Sequence, residues 1–224
     1  MRAPLSIIIP TLNAETDLPV TLAALIEGLQ DGLVRELVVS DGGSSDQSCA
    51  LAEAVGALVV TGAAGRGGQL RRGADAASGE WLLFLHADTV LSQGWSALVG
   101  AHISGQDAAG YFRLKFAASG FAPWWVAGWA NLRARLFGLP YGDQGLLISR
   151  KIYDAIGGYA DVPLMEDVAI ARALRGQLRA VPVLATSSAA RYQAAGWFGQ
   201  GARNLWRLLR YLAGADPERL GRGY

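Results

Sequence analysis

Short apolar runs recur along the first half of the chain, each followed by a helical repeat. Leu5-Ser6-Ile7-Ile8-Ile9 is continuous and β-branched, which predicts a strand covered on both faces. From Asp17 to Gln30 the period changes, and Leu18, Leu22, Leu25, Ile26 and Leu29 fall on one helical face. Leu37-Val38-Val39-Ser40 predicts a second buried strand, residues 46–55 a second helix and residues 57–61 a third strand. A glycine-rich loop over Gly62 to Gly68 leads into a helix ending near Ala77, and Trp81 to Leu85 is a fourth strand. Strands alternating with helices imply parallel pairing, hence an α/β fold with a doubly wound, mostly parallel central sheet flanked by helices.

The second half is less regular. Tyr111 to Phe116 alternates and predicts an antiparallel or edge strand. Pro123 to Phe137 is tryptophan-rich and partly helical in pattern, and Gly145 to Ser149 is a short strand. A helix is expected over Glu166 to Arg175, a strand over Arg179 to Leu184 and an amphipathic helix over Gly199 to Ala213. Trp124, Trp125 and Trp129, with Phe121 and Phe137, read first as core; the alternative is aromatic faces that stack on a sugar or meet lipid. With no repeat, low-complexity tract or linker, the pattern fits a single domain over residues 1–224.

A formal net charge of +1 argues against a nucleic-acid-binding footprint. A lone cysteine, Cys49, excludes an internal disulfide and reads as a small buried hydrophobe. Two histidines leave little material for a histidine-rich metal site. Pro10 ends the first apolar run too early for a signal peptide. The longest uncharged stretch, Phe116 to Leu132, is interrupted by Gly120, Pro123, Gly128 and Asn131 and falls short of a membrane span. A cytoplasmic protein is expected, with contact at the inner membrane surface left open.

Polar clusters stand where the apolar runs end, and in an open α/β sheet ligands bind at those carboxyl ends. Trp81 to Leu85 runs into His86-Ala87-Asp88-Thr89, so the imidazole and the carboxylate, two residues apart, point the same way. A carboxylate there can hold a divalent cation and through it a diphosphate; an ordinary Asp-Thr turn is the plain alternative. After the first strand come Pro10, Thr11, Asn13 and Glu15. Pro10 is expected to stop the ladder, and Thr11 and Asn13 suit either a base edge or ribose, or the cap of the next helix. After the second strand, Asp41 can accept from a base or ribose and Gly42 lets the backbone approach, while Ser45 or Asp46 suits a helix cap. Gly65 to Gly73 carries Arg66, Gly67 and Arg71 near a helix N-terminus, which suits phosphate or a solvated basic loop. Neither a dinucleotide fingerprint nor a P-loop occurs. Asp143-Gln144 precedes a strand, and Glu166-Asp167 opens a helix, where the dipole favours carboxylates in any protein.

In this order the segments PTLN, DGGSSD, the glycine/arginine stretch, HAD, the Asp-Gln pair and the Glu-Asp helix start resemble the family 2 glycosyltransferases of GT-A fold, over Leu5 to about Arg175. LHADT, PYGDQG and PLMEDV also look like a bacterial subgroup of short family-2-like transferases. The resemblance implies a nucleoside-diphosphate sugar donor, with Pro10, Thr11, Asn13 and Asp41 at the nucleoside and Glu15 as a further candidate. The family's Asp-x-Asp metal motif reads His86-Ala87-Asp88 here, so Asp88 matches the ligand of a divalent cation (Mn2+ or Mg2+). His86 is left for ribose, phosphate or structure. Asp143 and Gln144 join the donor site. Asp167 matches the general base, with Glu166 as the alternative, and Arg71 or Arg72 would help offset the departing diphosphate. A single displacement with inversion follows. Residues 1–105 form the nucleotide-sugar half and 106–224 the acceptor half. The acceptor is unknown; the last helix reads first as packed on the body with its arginines solvated, and the alternative is an interfacial helix on an anionic surface, which would suit a lipid-linked acceptor. Two other classes share parts of this pattern: a nucleotidyltransferase, whose glycine-rich, lysine-bearing signature is missing, and a non-catalytic nucleotide-sugar or lipid-binding protein.

Overall fold

The computed structural model describes residues 3–105 and 108–221. Its first half runs β1 (Leu5–Thr11), α1 (Leu18–Gln30), β2 (Val34–Asp41), α2 (Ser48–Ala54), β3 (Leu58–Thr61), α3 (Arg66–Ala76), β4 (Trp81–Phe84), β5 (Thr89–Leu91) and α4 (Trp95–Gly105). The second half runs β6 (Ala109–Phe116), α5 (Phe121–Phe137), a single 3-10 turn (Gly142–Gln144), β7 (Leu146–Ser149), α6 (Arg150–Ala155), α7 (Glu166–Ala173), β8 (Leu178–Ser187), α8 (Ala190–Ala195), α9 (Trp197–Leu212) and α10 (Pro217–Gly221). Among the described residues eight strands form one sheet in the order β3-β2-β1-β4-β7-β6-β8-β5. β1, β2, β3 and β4 are mutually parallel; β7 runs against both β4 and β6, and β5 runs against β8.

The sheet separates two apolar layers, and the period of two assigns side chains to them. Ile7, Ile9, Leu83 and Leu85 face α1 and α4, while Ile8, Leu82 and Phe84 face α3, α6 and α7. Each such fully buried Leu or Ile contributes about 1.5–3 kcal/mol. Close approaches fix the helices. A Cβ on Gly73 of α3 would lie 2.4 Å from Ile8, and one on Gly28 of α1 would lie 2.5 Å from the buried Trp95 ring. The Trp95 indole N–H donates to the Ala24 carbonyl at 2.9 Å.

Several expectations are corrected. Pro10 does not end the ladder, because β1 pairs with β2 through Pro10 and Thr11. The Leu5 N–H faces the β2 side, so alternation turns the Pro10 nitrogen toward β4, which has already stopped at Phe84 opposite Ile8. The expected loop over Gly62 to Gly68 ends at Gly65, and Gly67 and Gly68 lie in the first turn of α3. β6 is no edge strand; it lies between β7 and β8, which it meets antiparallel and parallel respectively. The tryptophan-rich segment is helical from Phe121 to Phe137, and its aromatics are not core: Trp124 is 68% and Phe121 66% exposed. Cys49, expected to be buried, is half-buried. β5, α4, α6, α8 and α10 were not marked by the sequence pattern.

Candidate active site

The chain leaves β1 for β2 on one side and returns in β4 on the other, so a topological switch point lies between β1 and β4. The loops after β1 and β2 are bolted together there. Asn13 N–H donates to Ser44 Oγ (2.8 Å), Ala14 N–H to Ser48 Oγ (2.8 Å) and Glu15 N–H to Asp46 (3.0 Å). In return Ser45 N–H donates to Asn13 Oδ1 (2.9 Å) and Gln47 N–H to Glu15 (3.0 Å). Asp41 is the hub: it accepts from Thr11 Oγ1, Ser44 Oγ and the Gly43 and Ser44 amides. Burial pushes its carboxyl up, but these donors outweigh it and hold the group below the usual range.

The third wall comes from β4. His86, Ala87 and Asp88 follow its last residue, and the Thr21 hydroxyl of α1 pins the turn through the Ala87 carbonyl at 2.8 Å. Because β7 is antiparallel to β4, with Phe84 opposite Leu146, the 3-10 turn before β7 is delivered beside this corner. The His86 ring lies so close to Gly142 that a Cβ there would meet Nε2 at 2.5 Å. The Gly142 amide in turn donates to Asp167 Oδ2 at 3.0 Å, which ties the first turn of α7 to the same place. Met165, just before α7, is left-handed at φ 67°, and Asn13, in the β1–α1 loop, has φ 50°. Non-glycine residues in this region carry strain that tends to gather at functional sites.

Asp88, Asp143, Glu166 and Asp167 thus crowd one corner with Arg66. Glu166 is 1% exposed; burial, then Asp167, pushes its carboxyl up to about 7, and Arg66, 3.6 Å from its Oε1, opposes that. Asp143 is pushed up to about 6, first by burial, with Asp167 and Asp88 adding and Arg133 opposing. Oε1 of Glu166 and Oδ1 of Asp143 are buried without a hydrogen-bond partner among the described residues. Burial and Asp17 raise Asp88, and Arg191 and Arg66 partly offset them. Burial, then Arg66 and Arg191, lowers His86 well below its ordinary range, so the ring is neutral at pH 7.

The carboxylate oxygens of this corner are the donor type that a hard divalent cation takes. Among the described residues no group of three or more His, Cys, Asp or Glu side chains is placed to hold a metal. The Asp88 carboxylate takes its own backbone N–H and a long 3.4 Å contact from the Thr89 hydroxyl, which leaves oxygen lone pairs for a hard cation.

Not every expected site residue faces this corner. Gln144 is fully buried, and its amide is spent on the Phe112 carbonyl (3.2 Å), Asn131 (3.3 Å) and the Tyr141 N–H (3.3 Å). Gly67 is buried against residues 160–162, where a Cβ would come 2.2 Å from the Ala160 carbonyl oxygen. Arg71 is exposed on another face of α3, where its charge acts on Tyr153. Arg72 donates to the Asp41 carbonyl at 2.8 Å. Arg66, also among the expected residues, is the α3 arginine that stands at the carboxylates. Sequence reasoning also passed over Gln69, Arg133 and Arg191. Gln69 is buried and donates to the Thr11 and Ser40 carbonyls at 2.7 and 3.0 Å, locking α3 to β1 and β2. Its signal was a lone amide among small residues at a helix start; Arg191 gave none, sitting in a helix the pattern did not show. A separate depression of about 790 Å³, lined by Ser78, Trp81, Ile103 and Arg150 among others, lies at the opposite ends of the strands and shares no residue with this site. Gly67→Ala is expected to displace the first turn of α3 with Arg66 and to cost about 1–3 kcal/mol, read as a lowered Tm.

Comparison with known proteins agrees with this geometry. Over 115 residues, covering 46% of this chain and 44% of the relative, the sequence is 36% identical to the PGL/p-HBAD biosynthesis glycosyltransferase of Mycobacterium bovis (strain BCG / Pasteur 1173P2). The chain therefore spans less than half the length of the curated relatives it matches. Two solved structures share the fold. S. aureus TarS 1-349 in complex with UDP-GlcNAc superposes with a TM-score of 0.63 at 16% identity, over 82% of this chain and 58% of that one. Glucosyl-3-phosphoglycerate synthase from Mycobacterium tuberculosis, in complex with Mn2+, UDP and phosphoglyceric acid, gives 0.61 at 21% identity, over 95% and 79%. The model of glycosyl transferase family 2 matches residues 6–160, more than half of the chain. The chain belongs to glycosyl transferase family 2.

Proposed function

We propose that this protein transfers a sugar from a UDP-sugar to an acceptor hydroxyl, with assistance from a divalent cation and inversion at the anomeric carbon. The observation that carries the reading is the meeting of Asp88, Asp143, Glu166, Asp167 and Arg66 at the β1/β4 switch point. The nucleoside lies against the Pro10–Glu15 and Asp41–Gly42 wall, and the diphosphate lies toward Asp88, Arg66 and Arg191. Asp88 would hold the cation, which when bound neutralises charge on the departing diphosphate. Neutral His86 packs on Gly142 and keeps the Asp143 turn beside Asp88.

Asp167 takes the proton from the acceptor hydroxyl as its oxygen bonds to the anomeric carbon and the bond to the diphosphate oxygen breaks. The Gly142 and Val168 amides, 3.0 and 2.7 Å from its two oxygens, fix the carboxylate without supplying charge. Arg66 and Arg191 stand where negative charge develops on the leaving group. Residues 1–105 mainly serve the donor and residues 106–224 the acceptor, with Asp143 and Arg191 reaching back to the donor's diphosphate.

Calorimetric titration with UDP, with and without manganese, tests this. Wild type is expected to bind UDP more tightly with manganese, and Asp88→Ala to lose the manganese-dependent part while the fold is retained. Unchanged manganese-dependent binding in Asp88→Ala would remove Asp88 as the ligand. An absence of UDP binding in both would remove the donor assignment.

A further inference from the structure

We propose that α5 and α9 form a docking surface that seats this protein on an anionic lipid bilayer. α5 is built inside out. Its small residues face the body: Pro123, Ala127, Ala130 and Ala134 are buried. Its large apolar residues face outward. Phe121, Trp124, Trp125, Trp129, Leu132 and Leu136 recur at steps of three and four, so they form one continuous stripe, and each is at least 45% exposed. Single exposed apolar residues are ordinary, but a tryptophan-rich stripe along a whole helix marks a covered surface.

α9 lies against α5: Val126 of α5 and Trp197 of α9 share one apolar cluster, and a Cβ on Gly201 would touch Val126 at 4.0 Å. It too turns an apolar stripe outward, with Phe198, Leu205, Trp206, Leu209 and Leu212 exposed and Leu208 buried. Neither helix contains an Asp or Glu. The exposed charged side chains on them are Arg135, Arg203 and Arg210, and the last two, two turns apart, lie along one side of the α9 stripe. An acid-free, arginine-flanked aromatic surface matches the boundary between acyl chains and anionic headgroups. It is poorly suited to a second copy of the chain, since a twofold contact would bring like charges toward each other. Among the described residues no helix is long and apolar enough to cross a membrane, so these helices would lie on the surface.

The docking helix is joined to the active site. On its inner face Arg133 stacks 3.4 Å from the Tyr141 ring centroid, and Asn131 accepts from Gln144; both partners flank Asp143. Resting on the transferase reading, the acceptor hydroxyl then belongs to a membrane lipid or a lipid-linked saccharide.

Co-sedimentation of the full chain with vesicles tests the surface. Wild type is expected to sediment with equimolar phosphatidylcholine and phosphatidylglycerol, weakly with phosphatidylcholine alone, and with a blue shift of tryptophan emission. Trp124→Ser with Trp125→Ser is expected to weaken partitioning at least about tenfold, and Arg203→Gln with Arg210→Gln to remove most of the preference for anionic vesicles. These residues are exposed, and circular dichroism checks that the variants fold. Absence of vesicle binding overturns the proposal. So does a concentration-dependent dimer in sedimentation velocity that the tryptophan pair abolishes. UDP binding on the same samples separates the two readings. Vesicle binding without UDP binding upholds the surface and removes the donor site, and UDP binding without vesicle binding does the reverse.

Discussion

Asp167→Asn is expected to bind UDP within about twofold of wild type and to turn over about 10²–10⁴-fold more slowly. The substitution keeps the side chain's size but removes its capacity to accept a proton. Asparagine has one carbonyl oxygen for the two backbone amides that now point at the carboxylate, so one of those bonds is lost. That loss is worth about 1 kcal/mol and concerns local stability. Donor affinity and single-turnover rate therefore separate a positional defect from a missing base. The rival assignment makes the opposite forecast: if Glu166 is the base, Glu166→Gln takes the turnover and Asp167→Asn keeps it.

Glu166→Gln is also expected to make the protein more stable at pH 8. In the folded chain burial and Asp167 push this carboxyl up from 4.5 to about 7. The folded state thus holds the proton more tightly than the unfolded one. The stability linked to that proton is fully present below pH 4.5 and is lost as pH rises through about 7. A neutral amide does not undergo this loss. The Tm of the variant should converge toward wild type near pH 4.5 and exceed it at pH 8, by a free energy on the order of 1–3 kcal/mol after the lost attraction to Arg66. Asp143, pushed up to about 6, tilts stability the same way over a lower window, from 3.8 to about 6. A Glu166→Gln protein less stable than wild type at pH 8 would show that the Arg66 pair outweighs the burial of charge. Under the expected outcome, the native site gives up stability to keep an acid pair next to a guanidinium.

The frame of the donor half was legible because its signals are local. Unbroken β-branched runs marked β1 and β2, a change of period marked α1, and polar residues at strand ends drew attention to Asp41 and Asp88, while Glu166–Asp167 stood out at a helix start. Long-range pairing was not legible. Nothing within Leu146–Ser149 says that it runs against β4, yet that pairing carries Asp143 to Asp88. Which arginine of α3 meets the carboxylates was open for a related reason: one helical residue is a turn of about 100°, and the loop-to-helix boundary at Gly65 turns Arg66 toward them. Gly67 and Gly73 looked like backbone freedom and are instead places where α3 touches residues 160–162 and β1. The tryptophans were misplaced because composition reports that they are apolar and not which face carries them. In α5 the sign was the companion stripe, with Ala127, Ala130 and Ala134 recurring opposite Trp124, Trp125 and Trp129.

On the proposed function, the bolted loops after β1 and β2 would also set a polarity for the nucleotide. The amides of Asn13, Ala14, Glu15, Gly43, Ser44 and Ser45 are already turned onto side-chain oxygens. No nest of free N–H groups remains there to cradle phosphate. The wall presents carboxylate and hydroxyl oxygens, while the positive charges of Arg66 and Arg191 act at Asp88. A nucleotide entered backwards would set its phosphates against carboxylates and hydroxyl lone pairs. On the proposed reading the cleft would accept its donor in one direction, with the sugar toward Asp167 before any acceptor arrives.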